Sequence, residues 1–203
     1  MTRWSVAMAL VGLMVVVAGR VRADDKQDVT RGAQAWVNAL LDGDVAAVKA
    51  HSIGDEKELT KWEAVTKMLG AMKRLNEAAV AKFGDQGAML GAGARRPDFA
   101  QIQKDSQIQV AGDEATLINK DRRPLKLKKD GKEWKVVLGS IQDNSRADAA
   151  QMAAITGALS GVADEIKDGK YPTAREALMA LGQKIKAAGT GGGGGPGKPD
   201  DPK

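Results

Sequence analysis

Apolar residues recur along this chain with two different periods, and the change between them divides it. From Asp28 to Leu41 the apolar positions Val29, Ala33, Trp36, Val37, Leu40 and Leu41 are spaced by threes and fours, which predicts a helix with one buried face. Asp42-Gly43 stops it, and Asp44 is placed to cap a short second helix through Ala50. After a loop around Ser52 to Gly54, the same period runs through Leu59, Trp62, Val65, Leu69, Met72, Leu75, Ala79 and Phe83, so one long helix is expected, with a bend allowed near Gly70. The glycine-rich stretch from Gly84 to Pro97 reads as a flexible connection.

Beyond it the period becomes twofold. Ile108 and Val110 alternate with glutamines, Leu125 and Leu127 alternate with Lys126 and Lys128, and Trp134, Val136 and Leu138 follow the same rule, with turns at Gly112-Asp113 and Asp130-Gly131. Residues Phe99 to Ile141 are therefore expected to form a meander of antiparallel strands, apolar on one face and covered there by the preceding helices. Helical spacing returns from Arg146 to Lys167, and Thr173 followed by Glu176 opens a last helix by a capping-box pattern. The expected class is α+β, with a C-terminal helical pair over residues 144–188 and a disordered Gly/Pro-rich tail from Gly189 to Lys203.

The first residues carry a different message. Arg3 precedes an unbroken apolar run from Ser5 to Ala18, and Val21-Arg22-Ala23 offers a small-residue cleavage site before Asp24. The run spans roughly 21 Å as a helix at ~1.5 Å per residue, short of the ~30 Å hydrocarbon core, so residues 1–23 read as a secretory signal peptide. The mature protein is expected outside the cytoplasm, periplasmic or extracellular, without a stable membrane anchor. Removing Arg3, Arg20 and Arg22 with the leader lowers the formal charge from +5 to +2, a balance that gives no general argument for nucleic acid. The absence of cysteine means that an exported chain of this size must rely on packing rather than disulfides.

Taken together, the helix ending in Leu40-Leu41-Asp42-Gly43-Asp44, the further helix, and the sheet segments Val110 to Ala115 and Asp130 to Val136 resemble the nuclear-transport-factor-2-like superfamily. The resemblance covers Asp28 to about Ile141. It implies a cone-shaped fold over residues 24–143, a strongly curved sheet wrapped around a long helix, often with a pocket at the open end. Such sheets often dimerise, so it also implies a homodimer. The long second helix and the two final helices depart from the compact version and resemble exported bacterial proteins that carry a helical extension. This superfold hosts isomerases, dehydratases, transport adaptors and interaction domains, so function has to come from the site.

An acid–base enzyme of the isomerase kind needs a carboxylate or histidine in an apolar pocket and a tyrosine or neutral acid as donor. The single tyrosine, Tyr171, falls beyond the sheet, and the single histidine, His51, follows the short second helix. One histidine and no cysteine argue against a zinc or copper site, and Asp55-Glu56-Lys57-Glu58 has the composition of a helix's first turn rather than a calcium loop. No Gly-x-Ser-x-Gly elbow supports a hydrolase, and Gly91 to Arg96 lacks the Gly-Lys-Ser/Thr of a phosphate loop. No cofactor is expected. Trp36, Trp62 and Trp134 each fall on an apolar stripe, where core is the simpler role. If the cone holds an open pocket, those three and His51 are the candidates for its wall.

The remaining feature is charge. Lys120 to Lys135 holds eight basic residues against three acidic ones, and Lys126 and Lys128 alternate with leucines on the outer face. A solvated face that discourages strand-edge pairing accounts for them. The competing role is contact with an anionic partner through Arg122, Arg123, Lys126, Lys128 and Lys129. The expected function is non-catalytic binding or assembly with an unidentified small molecule or protein, against an isomerase or lyase using a buried carboxylate, or an adaptor for an anionic partner.

Overall fold

A computed structural model describes residues 23–94, 106–118, 124–141 and 149–190. The expected leader through residue 22, Arg122 and Arg123, and the tail from residue 191 lie outside the described residues. The chain is mixed helix and strand, with a five-stranded sheet and two C-terminal helices.

Helix α1 (Ala23–Asp42) ends where Gly43 turns with φ +74°, and the Asp44 carboxylate accepts from the Ala47 N–H to start α2 (Val45–Ala50). The segment read as a loop is a short strand instead, β1 (Ser52–Ile53), paired parallel to the last strand. Two links set it there: the Val136 N–H donates to the His51 carbonyl at 2.9 Å, and the Ser52 hydroxyl donates to the Val48 carbonyl at 2.6 Å. A two-residue strand is too short to show a period, which is why alternation could not reveal it.

Helix α3 (Glu56–Phe83) opens on a full capping box, Asp55 accepting from the Glu58 N–H while Glu58 accepts from the Asp55 N–H. It meets the α1–α2 turn with no side chain between. A Cβ placed on Gly70 would lie 2.8 Å from the Gly43 Cα, so the two backbones touch at this crossing. Instead of the expected flexible connection, Gly84–Ala94 forms 3₁₀ turns laid against α3. Gly87 allows this, since a Cβ there would fall 2.1 Å from the Ala79 carbonyl oxygen, and Leu90 packs on the apolar side.

Strands β2 (Gln107–Ala111), β3 (Glu114–Ile118), β4 (Pro124–Asp130) and β5 (Glu133–Val137) form the expected antiparallel meander, in the order β1-β5-β4-β3-β2. Ala115, Leu117, Leu127, Trp134 and Val136 are buried, and they cluster with Val29, Ala33, Trp36 and Leu40 of α1 and Val48 of α2. Leu59, Trp62 and Leu69 from the first half of α3 complete this sheet-side core.

A second core lies further along α3. Ala71, Leu75, Ala78 and Ala79 pack on Leu159, Val162, Ala163 and Ile166 of α4 (Ala149–Lys167), and Ala177 and Leu181 of α5 (Ala174–Thr190) close it with Tyr171. The Glu176 N–H donates to Thr173 Oγ1 at 3.3 Å, the half of the expected box that starts α5, and the helix continues past Gly189 to Thr190.

Candidate functional site

Helix α1 lies directly on β5 because Gly32 has no side chain: a Cβ there would sit 2.3 Å from the Trp134 carbonyl oxygen. Above this contact a cleft of about 240 Å³ remains between α1, the β4–β5 turn and the end of α2. Arg31, Gly32 and Ala35 line one side with Asp28, the i, i+3 and i+4 spacing that keeps them on one helix face. Lys132, Glu133 and Trp134 line the other, and His51 closes the rim. His51 is fixed through its backbone, since its N–H donates to Ala47 and its carbonyl accepts from Val136, which leaves the imidazole for the cleft wall.

Two features of the cleft bear on chemistry. Arg31 Nη1 donates to Asp28 Oδ1 at 2.9 Å, so one acid and one base are already joined. Trp134 is 3% exposed and its indole N–H has no hydrogen-bond partner, although such a group left unpaired costs about 1–3 kcal/mol. Its ring is covered on one side by Lys129, whose Nζ lies 5.7 Å from the centroid in cation–π range.

The four residues expected to share a pocket wall fall into two places. His51 and Trp134 line the cleft, whereas Trp36 and Trp62 meet edge to face at 5.1 Å inside the sheet-side core. Trp36 Nε1 donates to Ser52 Oγ at 2.9 Å, and the Ser52 hydroxyl in turn donates to the Val48 carbonyl, so this indole is fully satisfied without a ligand. The residues that sequence reasoning missed are Asp28, Arg31, Lys132 and Glu133. A signal was present in Gly32, a glycine inside a helical pattern that marks close approach of another backbone.

The basic segment divides as well. Lys126 and Lys128 are exposed on the outer face of β4, but Lys129 shares the inward face of Leu125 and Leu127, beside its cross-strand neighbour Trp134. Strand alternation forces this: Lys129 is two positions from Leu127, so it cannot belong to the surface that Lys126 and Lys128 present.

Three carboxylates, Glu63, Asp130 and Glu165, are held below the ordinary range by lysines. The hydrogen bonds from Lys49 and Lys67 bring Glu63 to about 2, and Lys135 lowers Asp130 by the same means. Glu165 also falls to about 2, through Lys170 first, then the Tyr171 hydroxyl and Lys184. Burial, helped by the bond to Glu165, raises Tyr171 to about 12. Among the described residues, no cluster of His, Cys, Asp and Glu could hold a metal ion, and no helix is long and apolar enough to cross a membrane. No family model, curated protein or solved structure matches the chain.

Proposed function

We propose that this is an exported, non-catalytic binding or assembly protein, with a curved nuclear-transport-factor-2-like sheet resting on the N-terminal helices and a helical extension behind it. Export rests on the leader-like pattern of residues 1–23. The observation that carries the binding reading is the filling of the interior: Trp36 and Trp62 occupy the space between helices and sheet, and Ser52 satisfies the Trp36 N–H there. One space open to a ligand among the described residues is the α1–β5 cleft at the surface.

The enzyme alternative draws less support. It requires a carboxylate raised by desolvation, whereas Glu63, Asp130 and Glu165 move the other way under lysine contact. Buried polar side chains among the described residues are Thr30, Ser52 and Thr66, none of them an acid.

Native mass spectrometry of the exported chain tests the proposal. A retained small molecule or a stable complex is expected. A bare monomer that also turns over an isomerase or lyase substrate would replace binding with catalysis. The adaptor reading has its own support in Lys126 and Lys128 side by side on the outer face, and its own test. Reversing both charges should weaken capture by an anionic matrix, with the loss erased in high salt.

A further inference from the structure

The two edges of the sheet are finished differently. At one, β1 has two residues, and shortness is itself a protection against further pairing. At the other, β2 runs from Gln107 to Ala111 without a charge or a proline. The lysines that would guard an edge are on β4, which is an interior strand.

Strand register shows what the β2 edge offers. The Lys129 N–H donates to the Asp113 carbonyl, so Glu114, the next residue, turns its own N–H and C=O toward its β2 partner Ala111. Alternation then commits the backbone of Gln109 and Gln107 to β3 and points the N–H and C=O groups of Ile108 and Val110 away from it. Among the described residues no strand pairs with that side of β2. A groove of about 550 Å³ lies along it, and Ile108 and Val110 are partly buried where Leu117 and Leu127 of the same inner face are closed over.

Resting on the assembly half of the reading above, we infer that β2 pairs antiparallel with β2 of a second copy of this chain, about a two-fold axis at Gln109. The strand itself selects this occupant. With Gln109 opposite its own counterpart, Ile108 of each copy faces Val110 of the other, and these are the residues whose backbone groups are open. Each such pair exchanges both backbone hydrogen bonds, and the apolar side chains continue the inner face from one copy into the next. Lys26 and Glu114 on the groove wall have opposite signs, so two copies meet without an excess of like charge. Because the other edge ends in the short β1, pairing stops at two chains.

Sedimentation velocity of the exported chain from about 5 to 500 µM tests the pairing, because an edge this short buries less than the ~1,200 Å² of a standard interface and its Kd should fall at about 10–100 µM. Amide hydrogen exchange over the same range should show Ile108 and Val110 becoming protected as the dimer forms, with Gln109 protected throughout. Gln109→Lys and Gln109→Glu each set like charges face to face on the axis and should weaken dimerisation about tenfold or more, whereas an equal mixture of the two variants should restore it. Lys128→Glu, on the outer face but away from the edge, should leave dimerisation unchanged. A chain still monomeric at about 500 µM would overturn the pairing. So would open-ended aggregates, a mixture that does not recover, or a Lys128→Glu loss equal to that of the Gln109 variants, which would place the contact on the sheet face. A monomer that retains a small molecule in native mass spectrometry would remove the pairing and leave the binding reading in place.

Discussion

The sheet-side core and the helical core share α3 but fill space by different means. Against the sheet, α3 contributes Leu59, Trp62 and Leu69, and its partners include Trp36, Leu127, Trp134 and Val136. Against α4 and α5 it contributes three alanines around Leu75, and Ala163 and Ala177 meet them. A pleated sheet and a helix leave gaps that need bulky side chains, whereas helices approach closely when small residues face one another. Bulk has a polar consequence. The sheet-side core must accommodate indole N–H groups, and it satisfies that of Trp36 through Ser52 while leaving that of Trp134 buried without a partner. The helical core keeps its polar contacts at the edge, where Tyr171, Lys170 and Lys184 converge on Glu165.

Truncation of a large side chain in each core is the strongest way to break this comparison. Leu75→Ala and Leu127→Ala each remove a fully buried leucine, one per core, and each should cost about 2–5 kcal/mol in urea unfolding. The tryptophans of the described residues lie in the sheet-side core, so their fluorescence reports that core while circular dichroism reports the helices. Because α3 runs through both, Leu75→Ala should lower the two transitions together. A fluorescence midpoint unchanged by Leu75→Ala would show that the cores unfold separately.

The joint between the cores comes next. Gly70→Ala places a Cβ against the Gly43 backbone, which has no side chain to swing away, and should cost about 1–3 kcal/mol by thermal melting. Stability unchanged within about 0.5 kcal/mol would show that α1 and α3 separate easily at that crossing. Ser52→Ala tests the polar difference and should cost about 1–2 kcal/mol by leaving the Trp36 N–H unpaired. The Trp36 indole resonance should move with it.

The smallest effect is acid sensitivity. Glu63 ties α2 to α3 through Lys49, and Glu165 gathers the end of α4. Both carboxylates are lowered on folding, so their contribution is present above an ordinary value near 4.5 and is lost as pH falls through about 2. Melting temperatures of Glu63→Gln and Glu165→Gln should each lie below wild type at neutral pH and converge on it across that window. Tyr171 has the opposite sign: its value is raised, so its contribution is present below about 10 and lost as pH rises through about 12. Tyr171→Phe should therefore differ least from wild type in strong alkali.

Long elements with a strong period were readable from residue types alone. Asp55 and Glu58 announced the start of α3, and the alternation of Leu125 and Leu127 with Lys126 and Lys128 gave both the strand and its outward face. The 3₁₀ turns after Phe83 were hidden because Gly84 to Ala94 is glycine-rich and lacks a period, and only contact with α3 orders it. The candidate site was half legible for the same reason. His51 and Trp134 stood out by type, but Arg31 and Lys132 are ordinary surface residues until α1 is laid on β5.

By itself the sequence determined which long periodic stretches coil into helices and which extend, and which face of each is apolar, since these depend on neighbours a few positions away. Tertiary structure alone decided that α3 serves two cores, that Trp36 finds Ser52, and that Trp134 finds no partner. Those outcomes depend on contacts between residues far apart along the chain. The same side chain becomes core or cleft wall according to the backbone that arrives against it, and at Gly32 the missing side chain lets α1 arrive.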